Sequence, residues 1–259
     1  MTGITNNDIL LNIEGVDNME TLNRDIVLKG LVGSHNYRLA TRLSDKDYKV
    51  FVAPTFEELY KHKYFSKDII TPEEDNSFHD IRKLPELFFK SNLSYLEVLE
   101  SNELHIVGEE LKEIYNLRKE IFKMNLPKLF NSCFGMYKQK MMLLNKGTEG
   151  TQHLVDLHGY DTKQALHAHR QQRFLVDFEA TDFKDFRGAM IFEGDDQEFM
   201  LSIRNGEFDQ DVFEKFATHY LESKVVHLRE KYYSYEPNHE LKEHLDDLIM
   251  KLVKRKVVS

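Results

Sequence analysis

The chain has no tryptophan, a single cysteine and only five prolines in 259 residues. One cysteine excludes an intramolecular disulfide and any thiolate-rich zinc site. The setting of Cys133 in LFNSCFGMY reads as a buried thiol, and a reducing cytoplasm is the expected location. Long apolar runs are also missing. No window approaches eighteen uninterrupted apolar residues, and MTGITNNDILL lacks the basic start and apolar stretch of a secretory signal, so neither membrane insertion nor secretion is expected. Positive charge is in deficit, with 35 Lys and Arg against 44 Asp and Glu and a net charge of −9. That balance excludes a diffuse basic surface for nucleic acid, so any polyanion must bind in a local cleft. What is present is 41% hydrophobic residues and 12% aromatics, enough for a globular core, over a length that suits two linked subdomains.

The first part of the chain alternates. From Asp25, DIVLKGLVGS reads as a buried strand ending in the turn Gly33-Ser34, and the next strand spans Asp47 to Ala53. Between them, SHNYRLATRL has the length of a short helix plus a loop. Thr-Phe-Glu-Glu at Thr55 is a capping-box start for a helix to about Lys61, and Thr71-Pro72-Glu73-Glu74 repeats that signal for one turn. Ser77 to Ile81 reads as another strand, Pro85 to Phe89 as a helix, and Ser94-Tyr95-Leu96-Glu97 as a third capping box. From Glu109 onward apolar residues fall at helical spacing, and a helix starts at Asp161 as N-cap and runs to about Glu179. FMLSIRNGEF reads as a short strand-like piece before two last helices, Asp209 to about Tyr232 and Asn238 to about Lys256. The expected class is therefore α+β. Residues 1–108 form a sheet with helices, the first ~20 of them an arm, and residues 109–259 form a mainly helical subdomain.

The chemistry centres on Ser44-Asp45-Lys46-Asp47. Residues i and i+2 of a strand share a face, so Asp45 and Asp47 point together and Lys46 points away. Two adjacent carboxylates raise the pKa of one of them unless a cation intervenes. A hard divalent ion meets that need, because Mg²⁺ is held by one or two carboxylates together with substrate phosphates. The Gly33-Ser34 turn can present backbone N–H groups to those phosphates. Together these residues describe a site for a nucleoside triphosphate with Mg²⁺ or Mn²⁺.

GSHNYRLATRLSDKDYKVFV resembles the signature of polymerase-β-type nucleotidyltransferases, in which Gly-Ser precedes an Asp-x-Asp pair on the central sheet. More narrowly, the chain is similar to the RNA-ligase-associated family in HDIRKLPELFFKSNLSYLEVLES (His79 to Ser101), GYDTKQALHAHR (Gly159 to Arg170) and SIRNGEF (Ser202 to Phe208). The resemblance implies a polymerase-β-like sheet and a third acidic metal ligand. Asp80 aligns with that role, although paired with Arg82 or Lys83 it would be an ordinary strand-end acid. Glu97 is the other candidate, but its capping-box position already explains it. Gly33, Ser34 and Ser44 are implied as nucleotide-binding residues. The chain departs from the family pattern at Arg38, where Gly is common and where a guanidinium could reach a triphosphate, and at Asn92-Leu93, where Asn-Pro is usual. Lys163, His167 and Arg170, at i, i+4 and i+7, are either a solvated face near Asp177 and Glu179 or, as the resemblance implies, a clamp on a phosphate. Tyr37 and Tyr160 could stack a base or serve the core.

The implied reaction is transfer of a nucleoside monophosphate from an NTP to a hydroxyl with release of pyrophosphate. Asp45, Asp47 and Asp80 would hold the metal, and an RNA end would be the acceptor. A protein hydroxyl as acceptor, and a nucleotide-binding interaction protein without turnover, are the alternatives.

Overall fold

The computed structural model describes residues 24–42, 44–72 and 74–258. The expected N-terminal arm lies outside the described residues. Among those described, β1 (Ile26–Val32), β2 (Lys46–Val52), β3 (Ser66–Ile70), β4 (Glu74–Asp80) and β5 (Leu104–Ile106) form one mixed sheet in the order β3-β4-β2-β1-β5. β2 and β4 run parallel, and every other pairing is antiparallel.

The helix expected in SHNYRLATRL does not form. An antiparallel β1–β2 pair needs no crossover, and the chain instead makes a single 3₁₀ turn at Gly33–His35 followed by an irregular loop. Arg38 at φ 61° stops any helix there, and Leu39 N–H closes the loop on the Ser34 carbonyl at 2.9 Å. The Thr55 capping box forms as the sequence indicates, with Glu58 N–H donating to Thr55 Oγ1 and Thr55 N–H to Glu58 Oε2, and it opens α1 (Phe56–Tyr60). Thr71 behaves differently. It closes the β3–β4 hairpin, donating its N–H to the Glu74 carbonyl at 2.9 Å, rather than starting a helical turn.

After the sheet come α2 (Leu84–Phe89), α3 (Leu93–Leu96), α4 (Glu109–Asn116), α5 (Arg118–Ile121), α6 (Leu126–Met142), α7 (Gln152–His158), α8 (Thr162–Ala180), α9 (Phe186–Met190) and α10 (Gly194–Arg204). FMLSIRNGEF, expected as strand-like, is the end of α10 and its exit turn, because Met200 and Ile203 are buried three residues apart on one helical face. α11 (Gln210–Tyr220) passes through a π turn, Leu221–Val225, and a 3₁₀ turn into α12 (Arg229–Tyr233), so the single helix expected there is broken. α13 (His239–Val258) returns to pack on α2 and α4. No helix among the described residues is long and apolar enough to cross a membrane.

The two faces of β2 bury different things. Tyr48, Val50 and Val52 join Leu31 and Phe78 in a small cluster on one side. Phe51, on the other side, belongs to a continuous cluster that runs through Phe88 of α2, Leu129 of α6 and Phe174 of α8 to Leu252 of α13. Alternation therefore turns Asp47 and Lys49 toward the helices. It is this face, where the sheet meets α8, that carries the site.

Candidate active site

Asp47 sits at the start of β2, half-buried, directly beside Asp75 in the parallel register with β4. Asp45, just before the strand, is exposed. Burial, and then the charges of Asp75 and Asp45, push the Asp47 carboxyl above its ordinary range, against a pull from Lys163 and Lys49. Asp75 is raised by burial and by Asp45 and Asp68, again opposed by Lys163. The acids thus share a field that leaves negative charge uncompensated, with the exposed Lys163 of α8 reaching over it. Gly33 lies against this pair at φ 71°, and a Cβ at that position would collide with Asp47 Oδ2. Only glycine lets the turn rest on the carboxylate. A cleft of about 300 Å³ opens here, lined by Gly33, Asp47, Asp68, Asp75, Glu97 and Arg170 among others.

The structure does not bring Asp80 to these acids. It pairs in register with Val52, five residues beyond Asp47, about 17 Å at about 3.3 Å per residue. It is fully buried, and its carboxylate is committed to Arg82, which donates from Nε at 2.9 Å and from a terminal nitrogen at 2.6 Å, while the Arg82 N–H adds a third bond. The acid that the register sets beside Asp47 is Asp75.

The other expected residues lie in and around the loop after β1 and in the core. Ser34 lies in the 3₁₀ turn, half-buried. The Ser44 hydroxyl accepts the Thr41 N–H within the loop, and its carbonyl bonds the His35 ring. Arg38 points outward to Glu193 rather than into the cleft, and its left-handed backbone supplies a reason for the family's glycine at that position. Tyr37 and Tyr160 are both fully buried. Tyr37 lies under the Arg170 guanidinium at 3.9 Å, and Tyr160 donates its hydroxyl to the Phe208 carbonyl at 2.9 Å.

Glu97 has a place the sequence did not suggest. The cap of α3 is Asn92, whose side chain accepts the Ser94 N–H at 3.1 Å, so Glu97 is released from any capping box. Its carboxylate is 1% exposed and accepts the Gly33 N–H at 3.2 Å. Burial pushes it up to about 7, with Arg170 and the Gly33 N–H pulling the other way. The signal available was an acid embedded in the apolar run YLEVL, which the Ser-x-x-Glu spacing masked.

The GYDTKQALHAHR motif is a mounting for cations. Gly159 caps α7 at φ 80°, and Asp161 caps α8 by accepting the Lys163 and Gln164 N–H groups, each at 3.0 Å. Ala165 and Ala168 are buried in the core that α8 shares with α6. SIRNGEF locks the motif in place, since Thr162 donates to the Arg204 carbonyl at 2.8 Å and Tyr160 to that of Phe208. Arg170 is thereby carried to the cleft and His167 to a neighbouring pocket, while Lys163 comes within electrostatic reach of Asp47 and Asp75. His167 is held neutral by burial and then by Arg170 and Lys140, so the stripe presents two full charges rather than three.

Among the described residues no group of three or more His, Cys, Asp or Glu side chains is placed to cage a metal by itself. The donor set is instead a small group of hard carboxylate oxygens in an open cleft, which fits an ion completed by substrate oxygens.

The sequence matches the family described as the RNA repair pathway DNA polymerase beta family, RlaP, over residues 7–251. The chain belongs to the RlaP family. No curated protein matches it. As an RlaP protein it has a polymerase-β-like α+β fold, and the family description is that of a polymerase-β-type nucleotidyltransferase in RNA repair.

Proposed function

We propose that this RlaP protein transfers a nucleoside monophosphate from an NTP to the hydroxyl of an RNA end, releasing pyrophosphate. The observation that carries the reading is the side-by-side register of Asp47 and Asp75 under Gly33, in a cleft that Lys49 and Arg170 also line. Asp47 and Asp75, with substrate oxygens completing the shell and the charge of Asp45 beside them, would hold Mg²⁺ or Mn²⁺, which would neutralise phosphate charge and favour loss of the acceptor's proton. Asp75 takes the role that the family resemblance gave to Asp80.

The protein's own groups account for the rest. Gly33 lets the triphosphate approach the sheet without a side chain in the way. Lys163 and Arg170 offset the charge that builds on the phosphates as the acceptor oxygen bonds to the α-phosphorus and the bond to the β-phosphate oxygen breaks. The electrostatic pull of Lys163 on both Asp47 and Asp75 supports that role. RNA as acceptor is supported by the family's RNA-repair description.

The test is incubation of the purified chain with each α-labelled NTP, Mg²⁺ or Mn²⁺, and either RNA with a free 3′ hydroxyl or total protein. Label on RNA with matching pyrophosphate is expected, and Asp47→Asn and Asp75→Asn should each lower the rate about a hundredfold or more. Label on protein alone overturns the RNA acceptor. Nucleotide binding without transfer overturns the enzyme.

A further inference from the structure

We propose that a second pocket, between α3, α6 and α8, binds a phosphate group that carries no metal, next to the acid-lined cleft. The proposal rests on the nucleotidyl-transfer reading and extends it to a subsite of its own. The pocket has a volume of about 180 Å³ and meets the acidic cleft at Ser94 and Arg170, both of which line the two spaces.

The lining differs in sign across that boundary. On the cleft side Asp47, Asp68, Asp75 and Glu97 outnumber Lys49 and the shared Arg170. On the pocket side stand Lys140 and Arg170, with donors from Ser132, His167 and Gln171, and no carboxylate among the described lining residues. A phosphate shielded by a divalent ion suits the first, and a bare one suits the second. The Tyr37 ring of the pocket wall is covered by Arg170, so charge and hydrogen bonding are on offer there rather than a stacking face.

Arg170 provides an independent observation. It is 9% exposed, and its Nε is buried without a hydrogen-bond acceptor. A buried donor left unpaired is unfavourable and uncommon, and a turn of the guanidinium toward the pocket that it lines would bring that donor to a phosphate oxygen. The surrounding cations point the same way. Burial, and then Arg170 and Lys163, hold the Lys140 ammonium below its usual range, while Lys140, Lys163 and Arg204 all act on His167. An anion in the pocket relieves that mutual repulsion and leaves neutral His167 free to donate one N–H.

Two sources offer this chemistry: the terminal phosphate of the NTP, and a phosphate at the end of the acceptor. Calorimetric titration separates them, using the wild type, Lys140→Met and Ser132→Asp, each first shown to melt as the wild type does. One series is ATP, ADP and AMP with Mg²⁺. The other is one RNA oligonucleotide with and without a 5′ phosphate. If the NTP fills the pocket, the wild type prefers ATP to ADP at least about tenfold and both variants lose that preference. If the acceptor fills it, the preference for phosphate-ended RNA is lost and the ATP to ADP ratio is unchanged. The third arm is Ser132→Asp, which adds a carboxylate to the pocket wall and reads the same loss if Lys140→Met fails to fold. A wild type with no phosphate preference in either series, or variants that keep the preference, overturns the proposal. Intact preferences in a chain that transfers nothing would instead remove the nucleotidyltransferase reading and leave the phosphate site standing.

Discussion

Glu97→Gln is expected to make the chain progressively more stable than the wild type as pH rises from 4.5 to about 8, because the buried carboxyl holds its proton far beyond its ordinary range. Below pH 4.5 both folded and unfolded states keep that proton, and the group contributes nothing to the pH dependence. Between 4.5 and about 7 the unfolded chain releases the proton while the folded chain retains it, so wild-type stability falls with rising pH. At about 1.4 kcal/mol for each tenfold change in proton affinity, the full loss is about 3 kcal/mol. The attraction of Arg170 and the Gly33 N–H is already included, since both act to lower the value. Gln cannot ionise, and its amide oxygen can still accept the Gly33 N–H. Other titrating groups cancel when the two proteins are compared. Urea denaturation followed by circular dichroism at about pH 5, 6, 7 and 8 gives the difference directly. For a chain of this size it should also appear as a gap in melting temperature that widens by about 6 to 12 °C. A difference that stays constant across that range refutes the reasoning, and with it the placing of a carboxyl in an environment that disfavours its charge.

The remaining expectations concern neighbouring residues. Asp80→Asn removes the buried partner of Arg82 and should cost about 3 kcal/mol or more by denaturation, while the fraction that remains folded still transfers nucleotide at the wild-type rate. Asp75→Asn should do the reverse, losing transfer while stability holds or rises slightly, because it removes like charge beside Asp47. Gly33→Ala should destabilise the chain by about 1–2 kcal/mol from the left-handed backbone alone, and its Cβ should displace Asp47, so transfer falls more than stability does. Arg38→Gly should be about 1 kcal/mol more stable than Arg38→Ala in the same denaturation assay, since both lose the exposed pair with Glu193 and only glycine is at ease at φ 61°.

What the sequence made legible was local. Thr55 with Glu58, and Asp161 ahead of α8, are contacts between residues three apart, and both formed as their spacing indicates. β3 and β5 were not legible, because SKDII is largely exposed and LHI has three residues, both are edge strands whose pattern carries little apolar periodicity, and their partners supply the order. Glu97 was misread for a related reason. Ser-x-x-Glu is a sound capping signal, and only the three-dimensional approach of Gly33 shows that Asn92 took the cap and left the carboxylate to the turn.

The third acid marks the limit most clearly. Asp75 and Asp80 lie on the same strand an odd number of residues apart, so the two-residue period sends them to opposite faces. Phe78 shares the face of Asp80, and its partner across the ladder is Val50, in the small cluster that looks away from the helices. Asp75 shares the face of Asp47, and the ladder makes the two direct neighbours. Neither strand alone says which face will meet the helices. That follows from Phe51 joining the large core and Val50 the small one, and a slip of one residue in the β2–β4 register would turn Asp75 away from the helices while still leaving Asp80 several positions along the ladder from Asp47. The meeting of Asp47 with Asp75 is thus a property of strand pairing, with the residue types written in the sequence and their association decided by which hydrophobic face each strand buries.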